Sequence, residues 1–123
     1  DVGILDERGY LRLVDRLKDI VIVGGFNAYP AEIEALLADA PGIAEVAVVG
    51  MPDSRLGEVC AAFIVPRDGA AVDEAELIAW ARKHMANFKV PRRFIAIDAL
   101  PRTPLGKVRR VELRELAKGL EAP

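Results

Sequence analysis

Cysteine and histidine are nearly absent from this 123-residue chain, which has one of each, Cys60 and His84. One cysteine forms no disulfide within a chain, and a Cys/His zinc site takes about four such ligands. Because Cys60 lies in the apolar segment VCAAFIV, we expect a buried strand thiol rather than a nucleophile. We expect His84 to be a partly exposed helix residue, and the sequence offers no Ser–His–acid arrangement.

Long hydrophobic runs and phosphate-binding glycine motifs are also lacking. No apolar segment approaches the roughly 18 residues of a transmembrane helix, so no transmembrane segment is expected. The first ten residues, DVGILDERGY, do not have the pattern of a secretory signal. With the single thiol, these features predict a cytoplasmic protein. The absence of a GxxxxGK[ST] sequence excludes a P-loop nucleotide site.

The net charge is small, −2, but the basic residues are concentrated in one part of the chain. Between Arg82 and Lys118, eleven lysines and arginines accompany three acidic residues. This excess favours an anionic partner, although a solvated basic surface gives the same composition. A basic nucleic-acid-binding module is a remote alternative, because only Phe88 and Phe94 are available there to stack on bases. We therefore expect no nucleic-acid partner.

The order of hydrophobic patterns predicts one α+β domain over residues 1–123. It consists of an N-terminal β-hairpin followed by a small mixed three-stranded sheet covered by helices. The hairpin would join YLRLV to DIVIV through the charged turn Asp15–Lys18, and Gly24 and Gly25 would end its second strand. The sheet strands are predicted in EVAVVG, VCAAFIVP and RFIAI.

Capping residues and periodicity predict the three helices. Pro30 suits the first position of one helix, and Asp73 with Glu76 resembles a capping box at the start of the next. The third helix follows the PRTPLGKVRR loop. The predicted buried stripes are Ile78, Ala81 and Met85 in the second helix, and Leu113, Leu116 and Leu120 in the third.

The segment PRTPLGKVRR predicts a stiff loop that presents one lysine. Pro101 and Pro104 fix φ, whereas Gly106 permits a turn immediately before Lys107. The alternative is an ordinary surface lysine at the start of a helix, although the helix dipole disfavours a cation there. The composition therefore predicts that Lys107 is held at a defined place.

Two segments resemble elements of the acyl-adenylate-forming enzymes, the AMP-binding superfamily that includes acyl-CoA synthetases, adenylation domains and luciferases. The run DRLKDIVIVGGFNAYPAEIEALL resembles their GRxKDxIxxxGxxIxPxEIE element, and PRTPLGKVRR resembles their PxTxxGK element. The order and separation of the two segments also match, and the resemblance covers essentially the whole chain. It implies that the chain is the small mobile C-terminal domain, without the large N-terminal domain that binds ATP and the acid.

The resemblance implies an ATP-dependent ligase that joins a carboxylic acid, such as a fatty acid, to CoA through an acyl-adenylate. Mg²⁺ would accompany ATP and be bound mainly by the N-terminal domain, and no metal ligand is expected in this chain. The domain's partners would be its own N-terminal domain, ATP, CoA and the acid, and the chain alone would be inactive. The alternative is an adenylation domain that loads the phosphopantetheine of a carrier protein.

Residue by residue, the resemblance assigns expected roles in the adenylation step and the domain movement. Lys107 matches the lysine that stabilises charge during adenylation. Lys18 matches the hinge about which the domain rotates between the adenylate-forming and thioester-forming poses, with residues 1–17 as the junction and first hairpin strand. Asp1 and Arg16 match nucleotide-binding positions.

The resemblance also assigns a CoA-binding set. Gly24 and Gly25 match the loop that lines the pantetheine tunnel, where the lack of side chains admits a narrow thiol arm. Lys89, Arg92 and Arg93 are candidate contacts for the CoA nucleotide phosphates, with a solvated basic loop as the alternative. These basic residues favour free CoA over a carrier protein.

Overall fold

A computed structural model describes residues 19–120 of the protein, which form a five-stranded sheet with three helices. The predicted α+β class is confirmed. In chain order, the elements are β1 (Val21–Val23), β2 (Phe26–Ala28), α1 (Pro30–Leu37), β3 (Ile43–Asp53), β4 (Gly57–Pro66), α2 (Glu74–His84), β5 (Arg93–Ala96) and α3 (Arg110–Lys118), with short 3₁₀ turns at Arg67–Gly69 and Asn87–Lys89.

Strand β4 is the central strand of the sheet and pairs with β1, β3 and β5. Strand β3 pairs with it antiparallel from Ile43 to Asp53, and β5 pairs with it in parallel. Strand β1 meets β4 where Val23 lies opposite Gly57. The three strands β3, β4 and β5 thus form the predicted mixed sheet, with β1 and β2 extending it. Strand β3 is an outer strand, so its outward peptide groups need other partners.

The hairpin that the structure describes is β1–β2, which turns at Gly24 and Gly25. Their φ values are 56° and 92°, and positive φ at both central residues defines a type I′ turn. The two glycines therefore do not simply end a strand, because the chain returns at once as β2. The other predicted hairpin strand, YLRLV, and the Asp15–Lys18 turn lie outside the described residues.

The predicted starts of the first two helices are confirmed. Pro30 is the first residue of α1, where its fixed φ suits the helix and its missing N–H costs nothing. Asp73 precedes α2, and its carboxylate accepts a hydrogen bond from the backbone N–H of Glu76 at 3.1 Å. Among the described helices, none combines the length and apolar character needed to cross a membrane.

The predicted buried stripe of α3 is partly wrong. Leu113 is fully buried, as expected, but Leu116 is 58% exposed and Ala117 is buried instead. Residues four apart lie on the same side of a helix, so the face of α3 that packs on β3 follows Leu113 and Ala117. In α2 the buried residues are Leu77 and Ala81, whereas the predicted residues Ile78 and Met85 are half-buried.

Cys60 and His84 take the places that their surroundings predict. Cys60 is buried in β4, and the loss of solvation, with the negative charge of Glu58, raises the pKa of its thiol to about 12. His84 is exposed at the end of α2. Its Nδ1–H donates to the carbonyl of Trp80 at 2.8 Å, and its ring stacks on the indole.

Candidate functional site

The backbone of the Lys107 loop is held by its own hydrogen bonds. The carbonyl of Thr103 accepts from the N–H of Gly106 at 2.8 Å, and the N–H of Thr103 donates to the carbonyl of Lys107 at 2.7 Å. The Thr103 hydroxyl oxygen also accepts from the N–H of Lys107 at 3.2 Å. Gly106 has φ of 89°, which side-chain-bearing residues rarely adopt. The loop therefore holds the Lys107 backbone in a fixed position.

The base of this loop is attached to β3 and leads directly into α3. Arg102 and Val108 form an antiparallel bridge, and the N–H of Arg109 donates to the carbonyl of Pro101 at 2.7 Å. The guanidinium of Arg102 donates to the Gly106 carbonyl and forms an ion pair with Glu45 of β3. Movement of the loop is thus coupled to the sheet and to the start of α3.

A groove of about 850 Å³ lies between the Lys107 loop, the start of α1 and the first turns of α3. The side chain of Lys107 is exposed at this groove. The charged residues that line it are the cations Arg102, Lys107, Arg109, Arg110 and Arg114, and the anions Asp19 and Glu34. The excess of cations favours an anionic ligand such as a phosphate chain.

Within the lining of this groove, Glu34 of α1 and Arg110 of α3 form a bidentate ion pair. Arg110 Nη1 lies 2.7 Å from Glu34 Oε2, and Nη2 lies 3.0 Å from Oε1. The same side chains cover the outer edge of β3 at Val48. Its N–H donates to Glu34 Oε2 at 2.8 Å, and its carbonyl accepts from Arg110 Nη1 at 2.9 Å. Burial opposes the charged form of Arg110, but the hydrogen bond and charge of Glu34, with the charge of Asp19, raise its pKa above the usual value.

Asp19, which follows the predicted hinge residue Lys18, is held to α3. Its Oδ1 lies 2.8 Å from Arg114 Nη1, and its Oδ2 lies 3.7 Å from Arg110 Nε. Sequence reasoning missed these contacts because Asp19 and Arg114 are 95 positions apart in the chain. No short-range sequence pattern connects the two residues. They meet only because the chain folds so that α3 lies beside the segment before β1.

The structure places two parts of the predicted CoA set close together. Phe26, next to the Gly24–Gly25 turn, stacks on Phe88 with ring centroids 5.1 Å apart. Lys89 Nζ lies 5.7 Å from the centroid of the Phe88 ring and 2.6 Å from Glu32 Oε1 of α1. The aromatic pair thus brings Lys89 beside the β1–β2 hairpin.

Arg92 and Arg93 have different surroundings. Arg93 Nε lies 2.8 Å from Glu74 Oε2 at the start of α2, and the same oxygen accepts from the N–H of Phe94 at 2.9 Å. Burial opposes the charged form of Glu74, but these hydrogen bonds and the charge of Arg93 lower its pKa. Arg92 is half-buried, and its N–H donates to the carbonyl of Cys60. The ion pair of Arg93 therefore ties it to α2.

Three predicted residues, Asp1, Arg16 and Lys18, lie outside the described residues. Within residues 19–120, the structure contains no group of three or more His, Cys, Asp or Glu side chains placed to hold a metal ion. The candidate site therefore has two parts. One is the basic groove with Lys107 at its rim, and the other is the Gly24–Gly25 turn with Lys89, which pairs with Glu32 of α1.

Comparison with known proteins identifies the family. Residues 32–107 match the family described as the AMP-binding enzyme C-terminal domain. The match runs from α1 through the sheet to Lys107, and it covers more than half of the chain. The protein belongs to this family, as the resemblance of the two segments predicted.

Relatives with curated names are CoA ligases. The chain is 55% identical, over 94% of its length, to a Mycobacterium tuberculosis propanoyl:CoA ligase whose name specifies a methyl-dioxo-octahydro-indenyl group. It is 44% identical, again over 94%, to the long-chain-fatty-acid–CoA ligase FadD13 of the same species. The chain spans 23% of the length of each of these relatives.

Solved structures show the same fold. The structure of MatB from Rhodopseudomonas palustris without ligand superposes with a TM-score of 0.80 at 43% identity. The match covers 95% of this chain and 23% of that protein. The fold of the described residues is thus that of one part of a considerably longer protein.

Proposed function

We propose that this chain is the C-terminal domain of an ATP-dependent carboxylic acid–CoA ligase, in which Lys107 serves the adenylation step. The observation that carries the proposal is an exposed lysine, the last residue of the segment that matches the family, on a hydrogen-bonded loop at the rim of a basic groove. The names of the relatives support the ligase class, because they are CoA ligases for chemically different acids. ATP with its magnesium, CoA and the acid are the substrates.

In the first half-reaction, a carboxylate oxygen attacks the α-phosphorus of ATP, and the bond to the pyrophosphate leaving group breaks. Negative charge accumulates on the phosphoryl oxygens while an anionic nucleophile approaches them. A fixed cation between the two lowers their repulsion and stabilises the transition state. The hydrogen bonds of Thr103 with Gly106 and Lys107 support this role, because they fix the backbone position from which the Lys107 side chain extends.

In the second half-reaction, the CoA thiol gives its proton to solvent, and its sulfur forms a bond to the acyl carbonyl carbon. The bond from that carbon to the phosphate oxygen breaks, and AMP leaves. The Gly24–Gly25 turn is proposed to lie against the pantetheine arm, where the absence of side chains allows close approach. Lys89 is proposed to contact a CoA phosphate, exchanging its partner Glu32 for the ligand. Arg92 and Arg93 remain candidate phosphate contacts, with Arg93 already engaged by Glu74. Free CoA is preferred over a carrier protein as the acceptor, because the relatives are named as CoA ligases.

Rotation of this domain about Lys18 is proposed to exchange the adenylate-forming pose for the thioester-forming pose. The N-terminal domain of the full-length enzyme, with the acid pocket and most ATP contacts, would be the partner against which this domain turns. Asp1 and Arg16 are proposed to contact the nucleotide near that boundary. The chain by itself is then expected to catalyse neither half-reaction.

The test compares Lys107→Ala with the wild type in the full-length enzyme. Pyrophosphate release from ATP and a panel of acids measures the first half-reaction, and thioester formation from preformed acyl-adenylate measures the second. Loss of a charge-stabilising group should slow the first by about 10²- to 10³-fold and largely spare the second. Lys83→Ala, which removes an exposed lysine from α2, is the matched control and should leave both rates unchanged. Equal rates for Lys107→Ala and wild type in the first half-reaction would refute the proposal.

A further inference from the structure

Four charged residues connect the predicted hinge with the Lys107 loop, and we call them the Asp19 cluster: Asp19, Glu34, Arg110 and Arg114. Arg110 lies three residues after Lys107 and is the first residue of α3. Its side chain binds Glu34 and approaches Asp19, while Arg114 binds the other oxygen of Asp19. One cluster therefore contacts both the segment after the hinge and the element that follows the loop.

The cluster is larger than protection of the sheet edge requires. The pair of Glu34 and Arg110 already satisfies the N–H and carbonyl of Val48. The hydrogen bond from Arg114 to Asp19 contributes nothing to that edge. Both of its side chains are partly buried, at 35% and 21% exposure, although they join residues at opposite ends of the described chain. The bond joins α3 to the residue next to Lys18.

We propose that Arg110 and Arg114 are positioning residues that clamp Asp19, so that the segment leaving the hinge and the Lys107 loop move as one rigid arm. This inference rests on the proposed function, since it assumes that Lys107 acts in adenylation and that Lys18 is the hinge.

The mechanical reason is the short path between the hinge and the sheet. Only Asp19 and Ile20 separate Lys18 from β1, and Asp19 is the residue that α3 holds. With Asp19 clamped, rotation is confined to the hinge and carries Lys107 to one position. Without the clamp, these two residues add backbone freedom, and Lys107 reaches the α-phosphate in a wider range of positions. Because a displacement of about 1 Å can cost as much as 10²-fold in rate, a loss on the order of tenfold is expected.

The experiment uses the full-length enzyme with Arg114→Gln and, from the other side of the same bond, Asp19→Asn. Each should slow single-turnover pyrophosphate release on the order of tenfold at saturating ATP and acid. The two substitutions change the charge of the groove in opposite directions, so an equal loss in both does not come from weaker ATP binding. The double variant should be no slower than either single variant. Arg114→Lys, which keeps a positive charge near Asp19, should restore most of the rate. Lys118→Gln removes an exposed charge one turn later on α3 and should behave as wild type.

The decisive comparison repeats Arg114→Gln in a Lys107→Ala background. If the clamp acts through Lys107, the second substitution should not slow the residual adenylation further. An equal slowing in both backgrounds would overturn the inference, because the clamp would then act independently of Lys107. Variants that fold but keep the wild-type rate would also overturn it, as would Arg114→Gln and Asp19→Asn both failing to fold, which would make the cluster purely structural.

The same data separate this inference from the proposed function. If Lys107→Ala slows adenylation and Arg114→Gln does not, the inference fails alone. If Lys107→Ala leaves adenylation unchanged, the proposed function fails and the inference fails with it.

Discussion

Breaking the ion pair of Glu34 and Arg110 is expected to destabilise the described domain, because it leaves a partly buried carboxylate without its partner, and Arg110→Met tests this. The substitution keeps most of the apolar stem but removes the guanidinium. Glu34 then loses both hydrogen bonds from Arg110, and the carbonyl of Val48 loses its donor. The N–H of Val48 keeps its bond to Glu34, so the edge of β3 is only half uncovered.

The magnitude follows from the exposure of the pair. Exposed ion pairs contribute about 0–1 kcal/mol, whereas breaking a fully buried pair costs about 3–5 kcal/mol. The side chains of Arg110 and Glu34 are 22% and 19% exposed, close to but not at the buried limit. Discounted for this solvent access, the free energy of unfolding should fall by about 2–3 kcal/mol. For a domain of this size, the melting temperature should then fall by roughly 10–20 °C.

Urea unfolding followed by circular dichroism measures this loss, with the m-value expected to stay constant. Arg109→Met is the matched control, because this arginine, the residue before α3, is 54% exposed and pairs with Glu112 of α3. Its effect should be below about 0.5 kcal/mol. Adding Glu34→Gln to Arg110→Met should cost less than the sum of the two single losses, since no charge then remains without its partner. An Arg110→Met loss as small as that of Arg109→Met would refute the reasoning.

Further predictions concern the packing of α3 and the buried thiol of Cys60. Leu113→Ala should lower the free energy of unfolding by about 2–5 kcal/mol, because this side chain is fully buried. Leu116→Ala should change it by less than about 0.5 kcal/mol, and chemical denaturation of both variants would reveal the opposite order if the described register of α3 were wrong. With a thiol pKa of about 12, Cys60 should react with a thiol reagent at pH 8 only after denaturant is added, and rapid labelling of the folded protein would contradict this. Because the folded-state pKa is raised, stability should be full below the thiol's unfolded pKa of about 8.5 and decline as pH rises towards about 12, and Cys60→Ala should remove this part of the alkaline slope.

Features fixed by neighbouring residues could be predicted from the sequence. Pro30 and Asp73 mark the starts of α1 and α2 because their effects on φ and on backbone N–H groups are local. The turn before Lys107 follows in the same way from Gly106. The pattern of Gly24–Gly25 was interpreted incompletely, because two glycines end a strand or reverse it with equal ease, and the three-residue strand that follows is too short to show a periodicity.

Features fixed by tertiary packing could not be predicted. Leu113 and Leu116 are equally apolar, and only the position of β3 decides which of them is buried. The partner of Arg110 is Glu34, 76 positions away, and no spacing rule connects residues so far apart. Arg93 stays a candidate phosphate contact, but its ion pair with Glu74 depends on the packing of α2 against β5 and has no local sequence signal.

The short junction between β1 and β4 has a consequence for how the domain opens. Beside the pairing of Val23 with Gly57, the N–H of Gly24 donates to the carbonyl of Leu56, and the N–H of Ile22 donates to the side chain of Glu58 rather than to a strand backbone. Strands β3 and β4, in contrast, are laddered together over their whole length. Local opening costs least where few backbone bonds must break. Amide hydrogens of the hairpin should therefore exchange with solvent before those of β3 and β4, and the glycine turn can yield to a ligand while the remainder of the sheet stays closed.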